Sequence, residues 1–237
     1  MLFRLAVTHF FLAYKLPLAV DSFQRLLGQI ISSSKSSNPL VRSNSTNLFK
    51  ALISHNDPTD PHSLSRLAVP ELINLPKSGK SAGPDHRVAL YSMLAALTPA
   101  QGVSLPILQA AIILLPKEPH ENAISVLAAA LPPHVVFLLR DASLPPDVIQ
   151  FIAKEMTNSK PAVRKAFVGL AGSVFLDMEG ILDSENGTIF AKGLVPAFET
   201  CLKTVASNPL NSSGGPYEGY VALAVLLGPL ARSGRFG

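Results

Sequence analysis

Apolar residues along this chain recur at intervals of three and four, interrupted by short clusters of Pro, Gly, Ser and Asn. In "KPAVRKAFVGLAGSVF" the positions Val163, Ala166, Phe167, Leu170, Ala171, Val174 and Phe175 fall on one side of a 3.6-residue period, which predicts an amphipathic helix with a wide buried stripe. In "NPLVRSNSTNLFKALI" the residues Val41, Leu48, Leu52 and Ile53 share one face. Asn38 precedes them as an N-cap and Pro39 takes the first helical position, where its missing N–H costs nothing. The same reading predicts further helices near 21–32, 62–75, 85–97, 103–115, 121–131, 134–141, 145–157, 188–207 and 217–232. Alternating, strand-like patterns are weak throughout. The segment 208–216, "NPLNSSGGP", is expected to be a flexible loop.

The breaks between these segments are themselves periodic. Pro39 stands three residues before Arg42, Pro84 three before Arg87, and Pro161 three before Arg164. Six residues after each arginine come Leu48, Met93 and Leu170; ten residues after come Leu52, Leu97 and Val174. The arginines are 45 and then 77 residues apart, one and nearly two periods of the roughly 40–47 residues typical of HEAT or armadillo helix pairs. A degenerate copy is therefore expected at Pro119–Leu131, with Asn122 where the arginine would stand, and a fifth from Pro216. The predicted architecture is all-α: one HEAT/armadillo-like solenoid of antiparallel helix pairs over 1–237, with second helices near 38–54, 84–97, 119–131, 160–175 and 216–232. One helix pair cannot bury its apolar face alone, so neighbours stack into a continuous core and binding uses extended surfaces.

Composition agrees with close helix packing. Of 237 residues 48% are hydrophobic, only 15% are charged, and there is no Trp. The 20 prolines fall mostly between helices or in first turns, where they punctuate rather than break. The lone Cys201 has no partner for an internal disulfide, which points to a reducing compartment and a cytoplasmic location, and makes the sequons at Asn44, Asn186 and Asn211 chance matches. The opening "MLFRLAVTHFFLAYKLPLAV" has a signal-like charge and apolar run, but His9 and Lys15 interrupt it and no clean cleavage site follows, so an ordinary buried helix is expected. The longest uncharged run lies between Glu121 and Arg140 and is split by Pro132 and Pro133. One regular membrane-spanning helix is therefore not expected.

Enzymatic motifs are weak. Gly79-Lys80-Ser81 looks like the end of a phosphate-binding loop, but Asn74 stands where a Walker A loop needs its first Gly, and a helix rather than a buried strand precedes it. The histidines show no His-Glu-x-x-His spacing. His55, Asp57, Asp60 and His62 read as a solvated, turn-rich loop before they read as a metal site. Cys201 sits in an apolar helix pattern, where a buried structural thiol is expected, and no Gly-x-Ser-x-Gly elbow is present. Neither catalysis, cofactor nor metal is expected.

The segments "SSSKSSNPLVRSNSTNLFKALI", "GKSAGPDHRVALYSMLAAL", "FIAKEMTNSKPAVRKAFVGLAGSVF" and "PYEGYVALAVLLGPLARSGRF" resemble the N-terminal HEAT-repeat region of the giant fungal translational activator of general amino-acid control. The resemblance covers residues 21–237. It implies a non-catalytic, ribosome-associated scaffold in amino-acid-starvation signalling to the kinase of the alpha subunit of translation initiation factor two. In that family an elongation-factor-like middle region recruits an ABC-type protein and a later segment recruits the kinase. No part of this chain matches either, so direct kinase activation is not carried over, and the chain reads as a fragment whose end repeats lack polar outer faces.

On this reading Pro39, Arg42, Pro84, Arg87, Pro161 and Arg164 are repeat-structural, the arginines bonding carbonyls or acids across stacked repeats. Contacts to the ribosome (ribosomal proteins and RNA phosphate) are expected instead from Lys77, Lys80, Lys154, Lys160 and Lys165. A formal charge of +4 and a pI near 9.3 permit phosphate attraction. The competing reading is a generic HEAT adaptor in transport or signalling that binds protein alone.

Overall fold

The computed structural model describes residues 19–54, 64–77, 83–177 and 184–207. Among these, the elements are α-helices and one 3-10 turn, without strands. In chain order they are α1 Val20–Ser33, α2 Pro39–Ser54, α3 Leu64–Lys77, α4 Pro84–Leu94, α5 Ser104–Leu114, the 3-10 turn Leu115–Lys117, α6 Glu121–Ala130, α7 Pro132–Arg140, α8 Pro146–Glu155, α9 Pro161–Asp177 and α10 Glu185–Ser207. Packing divides the chain into two compact units at Ile107/Leu108, within α5.

In the first unit α1 pairs with α2 and α3 with α4. Between the pairs, α1 packs on α3 and α2 on α4, first helix on first and second on second. That is the stacking of a helical-repeat array. It follows from the apolar spacing: Phe23, Leu27, Ile30 and Ile31 line one face of α1, and Leu48, Phe49, Leu52 and Ile53 one face of α2, all buried. Pro39 and Pro84 open α2 and α4. Gly83 precedes Pro84 with φ of 125° and ψ of −176°, a conformation essentially restricted to glycine, so the sharp restart of the helix depends on it.

In the second unit α9 packs beside both α6 and its own partner α8, and α10 lies on α8. The stretch 119–131, where a degenerate copy is expected, holds the helix α6. The apolar run from Glu121 to Arg140 is long and apolar enough to cross a membrane by length and composition alone, yet it divides into α6 and α7, and 67% of its most apolar window is buried inside the fold. Phe151 of α8 meets Phe167 of α9 edge to face at 5.2 Å, and Phe175 of α9 touches Phe190 and Phe198 of α10 at 5.8 and 6.0 Å. These rings hold the second pair together.

All six apolar repeat positions are in the core: Leu48, Met93, Leu170, Leu52, Leu97 and Val174 are each at most 4% exposed. Helix ends depart from expectation by one to three residues, most visibly at α3, which runs through Pro76 to Lys77, at α4, which ends at Leu94 rather than 97, and at α10, which starts at Glu185 rather than 188. The predicted helix at 217–232, the loop at 208–216 and the N-terminal apolar run before Ala19 lie outside the described residues.

Candidate functional site

The turns that connect the two helices of a pair carry most of the sequence's polar chemistry. Ahead of α2, the Ser36 hydroxyl accepts the Asn38 N–H at 3.2 Å and the Asn38 Oδ1 accepts the Leu40 N–H at 2.9 Å, so Asn38 caps the helix. Arg42, one turn into α2, donates from Nη1 back to the carbonyls of Ser36 and Ser37 at 2.8 and 2.9 Å. Ahead of α9 the pattern is repeated. The Asn158 Oδ1 accepts the Lys160 N–H at 2.8 Å, and Arg164 Nη1 donates to the carbonyls of Asn158 and Ser159 at 2.7 and 2.8 Å.

Each arginine therefore bonds the carbonyls six and five residues upstream, closing the turn onto its own helix. The expectation of carbonyl partners across stacked repeats is corrected in this respect, because the helix start brings its own turn within reach of a guanidinium one turn along. An acid of the next pair does enter in one case: Arg42 Nη2 lies 2.7 Å from the Asp85 carboxylate at the start of α4. Arg87 occupies the matching position of α4, where its N–H bonds the Gly83 carbonyl at 3.2 Å. The residues that would complete its turn, Ser81 and Ala82, lie outside the described residues. Pro161 opens α9 as Pro39 opens α2.

The expected cations that the structure describes fall in both units. Lys77 is exposed at the end of α3 in the first unit, and Lys80 lies outside the described residues together with the rest of Gly79-Lys80-Ser81. Lys154, Lys160 and Lys165 are all exposed around the α8–α9 turn in the second unit. The Lys160 ammonium donates to the Pro116 carbonyl at 3.3 Å, which joins this turn to the one between α5 and α6. That contact brings in exposed Lys117, a residue that spacing within one repeat does not reveal. Asn158 was also missed. Its amide nitrogen donates to the Glu155 carboxylate at 2.5 Å and its main-chain N–H to the Glu155 carbonyl at 3.2 Å.

The other chemically capable groups have structural surroundings. His134, 1% exposed on α7, has its pKa lowered to about 4 by burial, so it is neutral at physiological pH. His86 is also lowered, by burial first and then by the charges of Lys35 and Arg87. Cys201 is half-buried rather than fully buried, its thiol 3.7 Å from the Met156 carbonyl. No group of three or more metal-ligating side chains occurs among the described residues. The loop holding His55, Asp57, Asp60 and His62 lies outside them.

The described residues form a helical-repeat array whose turns ahead of α2 and α9 are closed by arginines, with lysines exposed around the α8–α9 turn, and such arrays present extended surfaces. Comparison with protein families gives a match over residues 84–236, well over half of the chain, to the General control nonderepressible 1 (Gcn1) N-terminal family. The chain belongs to this family. Comparisons with curated proteins and with solved structures gave no match. The matched stretch of the Gcn1 N-terminal family spans α4 to α10 and thus includes the second Pro-x-x-Arg turn and the whole of the lysine-bearing edge. Membership carries a regulatory, scaffold-type role in general amino-acid control and partners in translational control.

Proposed function

We propose that this chain is a non-catalytic scaffold segment that associates with ribosomes in the cytoplasm and serves amino-acid-starvation signalling to the initiation factor two alpha kinase. The Gcn1 N-terminal family match carries this reading. The turn lysines support it, since they give the repeat edge a positive field with which to approach ribosomal RNA. The ABC-type protein and the kinase are contacted through other regions of the family's proteins. Arg42 and Arg164 serve the repeat architecture, each spending its Nη1 on two carbonyls of its own turn, and Arg87 holds the matching place in α4.

Co-sedimentation of the full chain with ribosomes over a salt series tests the proposal. Binding that falls steeply with salt is the expected result. A folded chain that stays in the supernatant at low salt would overturn it and favour an adaptor that binds protein alone.

A further inference from the structure

We propose that the edge formed by the end of α5 and the α8–α9 turn docks a short acidic segment of a partner protein. Lys117, Lys154 and Lys160 meet its carboxylates, and Ile113 seats one apolar side chain. This goes beyond the ribosomal reading above and does not depend on it, since it fixes the chemistry of a peptide and not the particle that carries it.

The edge belongs to one compact unit. Within it Lys160 Nζ donates to the Pro116 carbonyl at 3.3 Å, across 44 residues of sequence, so the turn after α5 and the turn before α9 lie side by side. Ile113 precedes Pro116 by three residues and Lys117 by four, about one helical turn. It is 45% exposed, and between residues 108 and 175 no other large hydrophobic side chain is as open to solvent. Lys117 closes the 3-10 turn and Lys154 stands in the last turn of α8. Both are exposed, as is Lys160.

The charge of this surface is mostly of one sign. Glu118 and Glu155 are 4% and 1% exposed and are bonded within their own turns. Among residues 113–121 and 154–165 the exposed carboxylate is Glu121, and His120 beside it is exposed as well. Lys165 is exposed too, but it has a further interaction within the chain, as have Glu118 and Arg164. Only Lys117, Lys154 and Lys160 are therefore assigned to the partner, three ammonium groups against one exposed carboxylate.

The cations alone do not choose between anionic partners, because an ammonium is a compact point charge that pairs with carboxylate and phosphate alike. Ile113 does choose. Phosphates offer an isoleucine no apolar surface, and base stacking needs an aromatic platform, so a nucleic acid lying across these lysines would leave Ile113 without a partner. A peptide can supply both chemistries, one apolar side chain covering Ile113 and carboxylates on either side reaching the lysines. The apolar contact excludes water beside the ion pairs and strengthens them. With a single apolar anchor the contact is weak and transient.

The test uses the full chain and fluorescence anisotropy with three labelled probes: a peptide of glutamates around a central leucine, the same peptide with glutamine in place of the leucine, and a blunt-ended RNA duplex. The leucine peptide is expected to bind about tenfold more tightly than the glutamine peptide, the factor that covering half an isoleucine supports. Ile113→Ser should remove that difference and leave binding of the glutamine peptide unchanged, a coupling that the double-mutant cycle reads directly. Lys117→Gln combined with Lys154→Gln should weaken both peptides about three- to tenfold at low salt, and less as salt rises. All three positions are exposed, an unchanged melting curve verifies the fold, and the comparison of the two peptides on the native chain needs no variant. The proposal is overturned if the two peptides bind the native chain equally, if either variant binds the leucine peptide as the native chain does, or if the RNA duplex binds more tightly than the leucine peptide through the same two lysines. Co-sedimentation with ribosomes is read separately and decides the ribosomal reading alone.

Discussion

In the turn ahead of α2, Arg42 reaches back to two carbonyls and across to Asp85; in the turn ahead of α9, Arg164 makes the same two carbonyl bonds while its neighbour Lys160 reaches across to Pro116. The local construction is one and the same, down to a Ser or Asn side chain six residues before the arginine accepting a backbone N–H two residues on. What differs is how each turn meets the next. The first is joined to its neighbour by opposite charges, leaving a mixed surface with Asp85 exposed. The second is joined by a lysine and a neutral carbonyl, with no acid in that bond. A repeat can thus keep its closing device while changing its surface, and the residues that do the first are distinct from those that do the second.

The largest effect expected on this comparison comes from the buried histidines, one in each unit. His134 is neutral in the folded chain down to about pH 4, whereas in the unfolded chain it takes up a proton near its ordinary value of 6.5. The unfolded state therefore binds more protons between those values. Stability is fully present above pH 6.5, falls as the pH drops, and stops falling near 4, with a total loss of about 3 kcal/mol. Denaturant melts of the native chain and of His134→Gln between pH 4 and 7 should differ in slope, the variant losing this dependence. His86 is shifted in the same direction, partly by Lys35 and Arg87. A Lys35→Gln variant should consequently weaken the acid sensitivity of the first unit without touching that of the second.

Replacing Arg42 or Arg164 by Met keeps the apolar stem and removes the donors. Each change should cost about 1–3 kcal/mol, since two carbonyls lose a charged partner. Near-equal losses at the two sites would mean that the carbonyl bonds dominate. A clearly larger loss at Arg42 would show that Asp85 contributes more than an exposed pair normally does, and would break the equivalence of the two turns.

Much of this arrangement was legible in the sequence. Pro39, Pro84 and Pro161 mark helix starts because their geometry fits that place, and the apolar positions six and ten residues past each arginine are buried because a 3.6-residue period turns them inward. Extending the repeat upstream would have found Ser36 and Asn158 as well. The pairing of Lys160 with Pro116, the inward turn of Glu118 and Glu155, and hence the place of Lys117, were not legible, for they depend on how separate repeats lie side by side. The half-exposure of Cys201 belongs with these, since an apolar pattern gives the face of a helix but not the distance to its neighbour.

Gly193 of α10 is a further product of packing. A Cβ there would lie 2.6 Å from Cγ2 of Ile149 on α8, closer than real contacts allow, so α8 and α10 approach where a side chain is missing. Gly193→Ala should destabilise the second unit by about 1–3 kcal/mol in spite of alanine's better helix propensity. In an Ile149→Ala background, which removes Cγ2, the added cost of Gly193→Ala should shrink if the crowding is local. A neutral or stabilising Gly193→Ala would show that the helices separate freely at this point.

The smallest effect is expected at Asp85. Its carboxylate is 70% exposed while Arg42 is 19% exposed, so the pair is screened from one side and the ordering of the side chains offsets part of its attraction. Asp85→Asn should cost no more than about 1 kcal/mol, and less as salt rises. If Asp85→Asn costs as much as Arg42→Met, the ion pair rather than the two carbonyl bonds holds the first turn closed, and the turns ahead of α2 and α9 are equivalent in geometry but not in what stabilises them.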